Sequence, residues 1–137
     1  MTLTSGYSGT PLIRKLGLRE TMKVCLLDPP VNYFELLGKN ISSQFVSLKE
    51  KPDLVHVFAP DHGRFLAHMK KLESAIQLNP QIIIWVSWYK KSSGLYKDLS
   101  EDLIREHALH HDLVDIKVCA VSDVWSGLKL VVRKNKR

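Results

Sequence analysis

Seven side chains that could contact a ligand or take part in catalysis follow the predicted strands of this chain. They are Asp28, Asp61, His62, Trp88, Lys90, Lys91 and Trp125. Ligands of open α/β sheets bind outside the carboxyl ends of the strands, so we expect these side chains along one edge of a sheet. Lysines suit an anion, and an indole face suits a planar group or a cation. The set predicts a site for a small anionic or planar ligand, lined by Trp88, Lys90 and Trp125.

Two other interpretations of this set stay open. In one, both tryptophans close the top of the core and the lysines are solvated. In the other, the chain is a small enzyme for an anionic substrate, with Lys90 or Lys91 acting beside Asp28 or Asp61. That chemistry requires a lysine with a lowered pKa in a desolvated cleft. The sequence favours a binding role and assigns no catalytic residue.

Neither the histidines nor the cysteines form a metal-binding pattern. The first three histidines fall on a predicted strand, loop and helix, and the last three lie near a helix end, where cations are favoured. They are His56, His62, His68, His107, His110 and His111. No Cys-x-x-Cys or His-Glu-x-x-His occurs in the sequence. We predict no metal site.

The composition is that of one globular domain, residues 1–137. Hydrophobic residues make up 45% of the chain and charged residues 25%. The net charge is +6, and positive residues are concentrated in 133–137, which we interpret as a solvated basic tail. An alternative function is nucleic-acid association through this tail, with binding that depends steeply on salt. Because the rest of the chain is only mildly basic, we do not expect a nucleic-acid partner.

The location is predicted to be cytoplasmic. Cys25 and Cys119 each lie in an apolar run and are expected to be reduced thiols of the core. The first twenty residues contain no continuous apolar segment. The longest apolar run is too short for a membrane helix, which needs about 20 residues, so no membrane partner is expected.

Hydrophobic runs predict the elements that position the seven side chains. Continuous runs starting at Met22, Leu54 and Gln81 indicate central strands covered on both faces, whereas alternating runs starting at Ser43 and Asp115 indicate outer strands. A last strand, 128–133, follows a short Trp125-Ser126-Gly127 turn and forms an antiparallel hairpin. With helices between them, these elements predict an α/β fold: a single Rossmann-like three-layer domain with a mixed sheet of about six strands.

Capping residues predict where the helices begin. Thr10 caps a short helix in an N-terminal arm, 1–18, that Gly17 ends. Asp61 caps the longest helix, and Ser100 caps another with Leu99 packed on Ile104 as a hydrophobic staple. The arm has two interpretations: a structural arm packed on the sheet, or an anion cradle built from Ser5, Ser8 and Thr10.

Several motifs resemble a small bacterial family, domain of unknown function 3052. They are S-G-Y-S-G-T-P-L at the start, K-L-G at 15–17, W-V-S-W-x-K-K at 85–91, D-L-S-E-D at 98–102, V-D-x-K-V-C-A-V at 114–121 and W-S-G-L-K at 125–129. They span nearly the whole chain. The resemblance implies a single domain in a bacterial cytosol, and it brings no established activity.

The order of elements is also similar to a reduced class I methyltransferase, including the antiparallel final hairpin. A cofactor site of that type uses a glycine-rich turn after the first strand. This chain has Asp28-Pro29-Pro30 there, without glycine and with two missing amide donors. We therefore predict no cofactor, and we interpret the protein as a non-catalytic module for a small anionic ligand or a protein partner.

Overall fold

The computed structural model describes residues 10–137, which form a five-stranded mixed sheet between two pairs of helices. The sheet order is β1-β2-β3-β5-β4. The elements are α1 (Leu12–Lys15), β1 (Val24–Leu27), α2 (Tyr33–Leu37), β2 (Leu54–Phe58), α3 (His62–Leu78), β3 (Ile83–Tyr89), α4 (Glu101–Leu109), β4 (Leu113–Ala120) and β5 (Trp125–Val132). The predicted α/β architecture is confirmed.

Strand β3 is the centre of the sheet, as its continuous apolar run predicts. It pairs in parallel with β2 and antiparallel with β5. The final hairpin is antiparallel and β4 is outermost, as expected. The hairpin turn is 121–124 rather than 125–127, because Ser122 Oγ accepts hydrogen bonds from the amides of Val124 and Trp125 and closes the turn there.

The predicted strand at 43–48 does not form, so the sheet has five strands rather than the six expected. Short 3-10 turns occupy Ser42–Gln44 and Leu48–Glu50, and a single bridge joins Phe45 to Val24. Local bonds replace a strand ladder here: the Glu50 carboxylate accepts from the Ser47 amide at 2.8 Å. Strand β1 is therefore outermost rather than central, and the 42–50 segment covers its outer side.

Alternate strand residues supply two cores, one on each face of the sheet. One face packs against α3 and α4, and the other against α1, α2 and the chain around them. Trp85, fully buried on the second face, donates from Nε1 to the Leu16 carbonyl at 3.0 Å. This period-two division decides which strand-end side chains can meet.

The predicted capping residues are confirmed for α3 and α4, but the cap of α1 differs by one residue. Asp61 Oδ1 accepts from the Arg64 amide at 2.8 Å, and Ser100 Oγ accepts from the Leu103 amide at 3.2 Å. Gly17 ends α1 with a φ of 74°, as expected. The cap position of α1 is Pro11 rather than Thr10. Ser5 and Ser8 of the proposed anion cradle lie outside the described residues.

The basic tail is attached to the body by two hydrogen bonds, and residues 134–137 are exposed to solvent, as a solvated tail predicts. The Arg133 amide donates to the Asp112 carbonyl at 2.7 Å, and Arg137 Nε donates to the Val132 carbonyl at 2.8 Å. Both cysteines are unpaired, Cys25 buried and Cys119 half-buried. None of the helices within residues 10–137 has the length and apolar character needed to cross a membrane.

Candidate functional site

Asp28 lies at the carboxyl end of β1 and binds two residues of α3 through one oxygen. Its Oδ2 accepts from Arg64 Nη1 at 2.6 Å and from His68 Nε2 at 2.9 Å. Partial burial acts to raise the pKa of Asp28, but the hydrogen bonds from Arg64 and His68 outweigh it and lower the pKa. The carboxylate is therefore charged and holds the guanidinium at this edge.

His68 supports Asp28 from inside the protein. Burial lowers the pKa of His68 and outweighs the opposing effect of Asp28. The imidazole is therefore neutral and donates from Nε2, which leaves Nδ1 as an acceptor. Nδ1 is buried and has no hydrogen-bond partner among the described residues.

An aromatic pair stands on the neighbouring strands at the same edge. Tyr89 of β3 and Trp125 of β5 are directly opposite each other in the sheet. Their rings stack with centroids 4.3 Å apart and an interplanar angle of 27°. Phe58 meets Trp125 edge-on at 5.0 Å and holds the indole from below. The pair forms an aromatic wall at this edge of the sheet.

Asp28, Arg64 and the aromatic pair share one cleft, which we call the edge cleft. Its volume is about 440 Å³. It is lined by Asp28, Pro30, Pro60, Arg64, Tyr89, Leu95, Val124 and Trp125. The Arg64 side chain is half exposed there. A guanidinium beside apolar and aromatic walls can hold a planar molecule that carries an anionic group.

Three other residues of the prediction, Trp88, Lys90 and Lys91, line a second cleft, the Trp88 cleft, of about 580 Å³. Its lining residues are Trp88, Lys90, Lys91, Ser92, Tyr96, Ser100, Glu101, Asp102 and Ser126. The Lys91 ammonium lies 5.6 Å from the centroid of the Tyr96 ring. Two carboxylates of α4 line the same space, so the lysines there do not create a purely cationic site.

The expectation that Trp88, Lys90 and Trp125 line one pocket is corrected by the sheet register. Trp88 is opposite Ser126, whereas Trp125 is opposite Tyr89. Because successive side chains point to opposite faces, the two indoles belong to different cores. The structure brings Trp125 together with Asp28, and Trp88 together with the two lysines.

Asp61 and His62 line neither cleft. The Asp61 carboxylate caps α3 through the Arg64 amide. The His62 amide donates to Asp98 Oδ1 at 2.9 Å, and its ring packs against Phe65 with centroids 6.4 Å apart. Both residues order the start of α3. Neither the edge cleft nor the Trp88 cleft contains the lysine–carboxylate pair of the enzyme alternative.

The comparisons with known structures concern the fold. A protein from Streptococcus agalactiae, described as belonging to the NADB-Rossmann superfamily, superimposes with a TM-score of 0.54 at 7% identity, covering 97% of this chain and 70% of that one. The fold is Rossmann-like. Two structures of a proposed tRNA (m1A22) methyltransferase from Streptococcus pneumoniae, one with S-adenosyl-L-methionine, reach TM-scores of 0.41 and 0.40 at 9% identity. The chain spans about half of them (52% and 53%).

Sequence comparisons give no family. No protein-family model matches the chain, and no curated protein does so either. The similarity to domain of unknown function 3052 stays a prediction. The Rossmann-like fold nevertheless locates the edge cleft with respect to the sheet: it lies at the carboxyl ends of the parallel strands, where such sheets bind ligands.

The sequence did not predict a buried chain of hydrogen bonds between Tyr33, His56 and Ser87, which we call the polar relay. Tyr33 Oη is 2.9 Å from His56 Nδ1, and His56 Nε2 is 2.7 Å from Ser87 Oγ. Burial lowers the pKa of His56 to about 3 and raises the pKa of Tyr33. All three residues are buried in the second core, so the relay joins α2 to the sheet. Polar residues inside two continuous apolar runs were its only sequence signal.

Arg64 and Tyr89 were also missed. Arg64 lies three residues after the cap of α3, and Tyr89 ends the central strand. Their position at the predicted edge was the available signal. Within the described residues, no group of three histidine, cysteine or acidic side chains is arranged to hold a metal ion.

Proposed function

We propose that this protein is a non-catalytic module that binds a small planar anion in the edge cleft. One observation carries the proposal: Arg64, tied to Asp28, lines the same cleft as the stacked Tyr89–Trp125 pair. The cleft volume of about 440 Å³ lies within the range of about 300–1,000 Å³ usual for ligand sites. An anionic group would pair with the guanidinium, and a ring would pack on the aromatic wall.

The state of Asp28 favours binding over acid–base catalysis. A general acid or base needs a pKa near the working pH, whereas the pKa of Asp28 is lowered. The carboxylate is also occupied by Arg64 and His68. Its role in the proposal is to orient the guanidinium.

We also propose that S-adenosylmethionine does not bind at the position usual for methyltransferases. Asp28 itself adopts the left-handed turn conformation, with a φ of 56°. Pro29 and Pro30 follow it, and neither has an amide hydrogen to offer a ligand. The free cysteines and the resemblance to a bacterial family support a bacterial cytoplasmic setting within the same proposal.

The test is calorimetric titration of the full chain with two planar anions, AMP and indole-3-acetate, and their uncharged counterparts, adenosine and indole-3-acetamide. We expect saturable binding of at least one anion and at least tenfold weaker binding of its counterpart. Arg64→Ala should abolish the preference for the anion, because it removes the guanidinium. Lys70→Ala is the matched control, since it removes an exposed positive charge from the same helix.

Three results would contradict the proposal. The first is the absence of saturable binding for both anions. The second is anion binding that Arg64→Ala leaves unchanged while melting curves show both variants folded. Binding that is lost equally in the Lys70 control would indicate general attraction to positive charge, and it would also count against the edge cleft.

A further inference from the structure

The lining of the edge cleft restricts the kind of planar anion that fits it. Most of the described residues that line the cleft have apolar or aromatic side chains. They are Pro30, Pro60, Tyr89, Leu95, Val124 and Trp125. Such side chains gain free energy by covering the apolar surface of a ligand, whereas a polar ligand group buried against them loses its hydrogen bonds to water. The lining therefore favours a ligand whose body is an apolar ring.

The charges in the cleft favour a ligand with a single negative charge. Among its described lining residues, Arg64 and Asp28 are the charged ones, and they form an ion pair at 2.6 Å. One guanidinium, already paired, is therefore present to meet an anion. A carboxylate requires no more than that. A phosphate dianion brings a second charge, and removing that charge from water adds to the cost of binding.

The backbone at this edge is also poorly suited to a phosphate. Rossmann-like folds hold phosphates with the amides of a glycine-rich turn and of a helix N-terminus. Here the turn after β1 is Asp28-Pro29-Pro30, and Pro60 precedes α3. Proline has no amide hydrogen, so these positions offer no donor to a phosphate oxygen.

The first turn of α3, next to the cleft, has carboxylates on its amides. The His62 amide donates to Asp98 Oδ1 at 2.9 Å, and the Arg64 amide donates to Asp61 Oδ1 at 2.8 Å. A phosphate placed at this helix end would meet two negative side chains. The edge cleft therefore binds an anion through the Arg64 side chain rather than through the backbone.

We propose that the ligand of the edge cleft is an aromatic monocarboxylic acid, a ring with one carboxylate, rather than a nucleotide or another phosphate ester. The inference rests on the proposed function, because it names the class of planar anion bound there. The planar fork of the Arg64 guanidinium matches a carboxylate, and the ring packs on the stacked pair of Tyr89 and Trp125. A nucleotide would place its ribose hydroxyls against apolar side chains, where unpaired polar groups are costly.

The experiment is calorimetric titration of the full chain at pH 8 with indole-3-acetate, indoxyl phosphate, AMP and acetate. Indoxyl phosphate keeps the indole and replaces the carboxylate, whereas acetate keeps the carboxylate and lacks the ring. Both phosphate esters are dianions at this pH, because their second pKa is about 6. We expect indole-3-acetate to bind at least tenfold more tightly than each of the others. Equal or tighter binding of indoxyl phosphate or AMP overturns the inference.

Leu95→Asn tests the apolar part of the lining. The Leu95 side chain is 50% exposed, so its replacement leaves the core intact. The affinity for indole-3-acetate should fall at least threefold, because an amide replaces apolar contact surface. Leu78→Asn is the matched control: Leu78 is 53% exposed and ends α3, away from the cleft, and its replacement should leave the affinity unchanged. Tyr89→Leu, which removes the stacked ring, should also weaken binding. Wild-type affinity in both Leu95→Asn and Tyr89→Leu overturns the inference.

The results separate this inference from the proposed function on which it rests. Binding of AMP that Arg64→Ala abolishes, without binding of indole-3-acetate, overturns the aromatic acid as ligand and leaves the planar-anion function in place. Binding of none of the four compounds contradicts both proposals. Tight binding of indole-3-acetate that Arg64→Ala and Leu95→Asn both weaken supports both.

Discussion

Arg64 Nη1 donates to Asp28 Oδ2 at 2.6 Å, and this bond joins the first turn of α3 to the end of β1. Asp28 has a φ of 56°, a conformation that asparagine also adopts readily. Asp28→Asn therefore removes the charge without adding backbone strain. Because both side chains are about half exposed, we expect a loss of only about 1 kcal/mol in urea unfolding. Asp123→Asn is the control, and equal losses in both variants would contradict a specific role.

The same pair predicts a pH effect in the acid range. Asp28 has a lowered pKa in the folded state, so its contribution is present above the unfolded value of about 3.9 and is lost as the pH falls below it. Asp28→Asn should therefore be closer to wild type at pH 3 than at pH 7. A difference that is constant over this range would contradict the prediction.

His56 predicts a second pH effect at higher pH. Its pKa falls from 6.5 to about 3 on folding, so between these values the unfolded chain binds a proton that the folded chain excludes. Stability should decrease as the pH falls through this window, by up to about 1.4 kcal/mol per pH unit from this group. Urea unfolding from pH 7.5 to 4 measures the slope, and His56→Gln, which cannot be protonated, should have a smaller one.

Substitution of Trp88 distinguishes a role in the core from a role in the Trp88 cleft. Its side chain is only 7% exposed and packs in the core under α3 and α4. Trp88→Ala should therefore cost about 3–5 kcal/mol, because it removes a large buried ring. Lys91→Ala, which removes the cation near Tyr96 in the same cleft, should cost less than about 1 kcal/mol. Equal effects in chemical denaturation would contradict the core assignment.

Gly127 is required by a close approach across the sheet. A Cβ at this position would lie 3.0 Å from Val121 Cγ2 and 3.3 Å from Trp85 Cε3. Gly127→Ala should cost about 1–3 kcal/mol through overpacking, and Val121→Ala should recover part of that loss in a double-mutant cycle.

Gly63→Ala is the matched control for this glycine. Its added Cβ would meet Asp61 Oδ1 at an ordinary 3.6 Å, and alanine in a helix is favoured over glycine by about 0.8–1.0 kcal/mol. This variant should therefore be slightly more stable than wild type. Destabilisation of both variants to the same extent would contradict a specific contact at Gly127.

Local and periodic signals predicted most of the fold. The continuous run around Trp85 indicated the central strand, and β3 occupies that place because it is covered on both faces. Asp61 and Ser100 were predicted as caps, and each accepts the expected amide hydrogen bond. These features depend on residues a few positions apart, so the sequence alone determined them.

The tertiary structure decided the composition of the sites. The 43–48 segment alternates like a strand, but the Ser47–Glu50 bonds satisfy its backbone locally and leave β1 at the margin. Trp88 and Trp125 both occupy strand ends, yet the register places them on opposite faces. Arg64 meets Asp28 across 36 residues of chain. Register and helix placement depend on how whole faces pack together, a property that no local stretch of sequence contains.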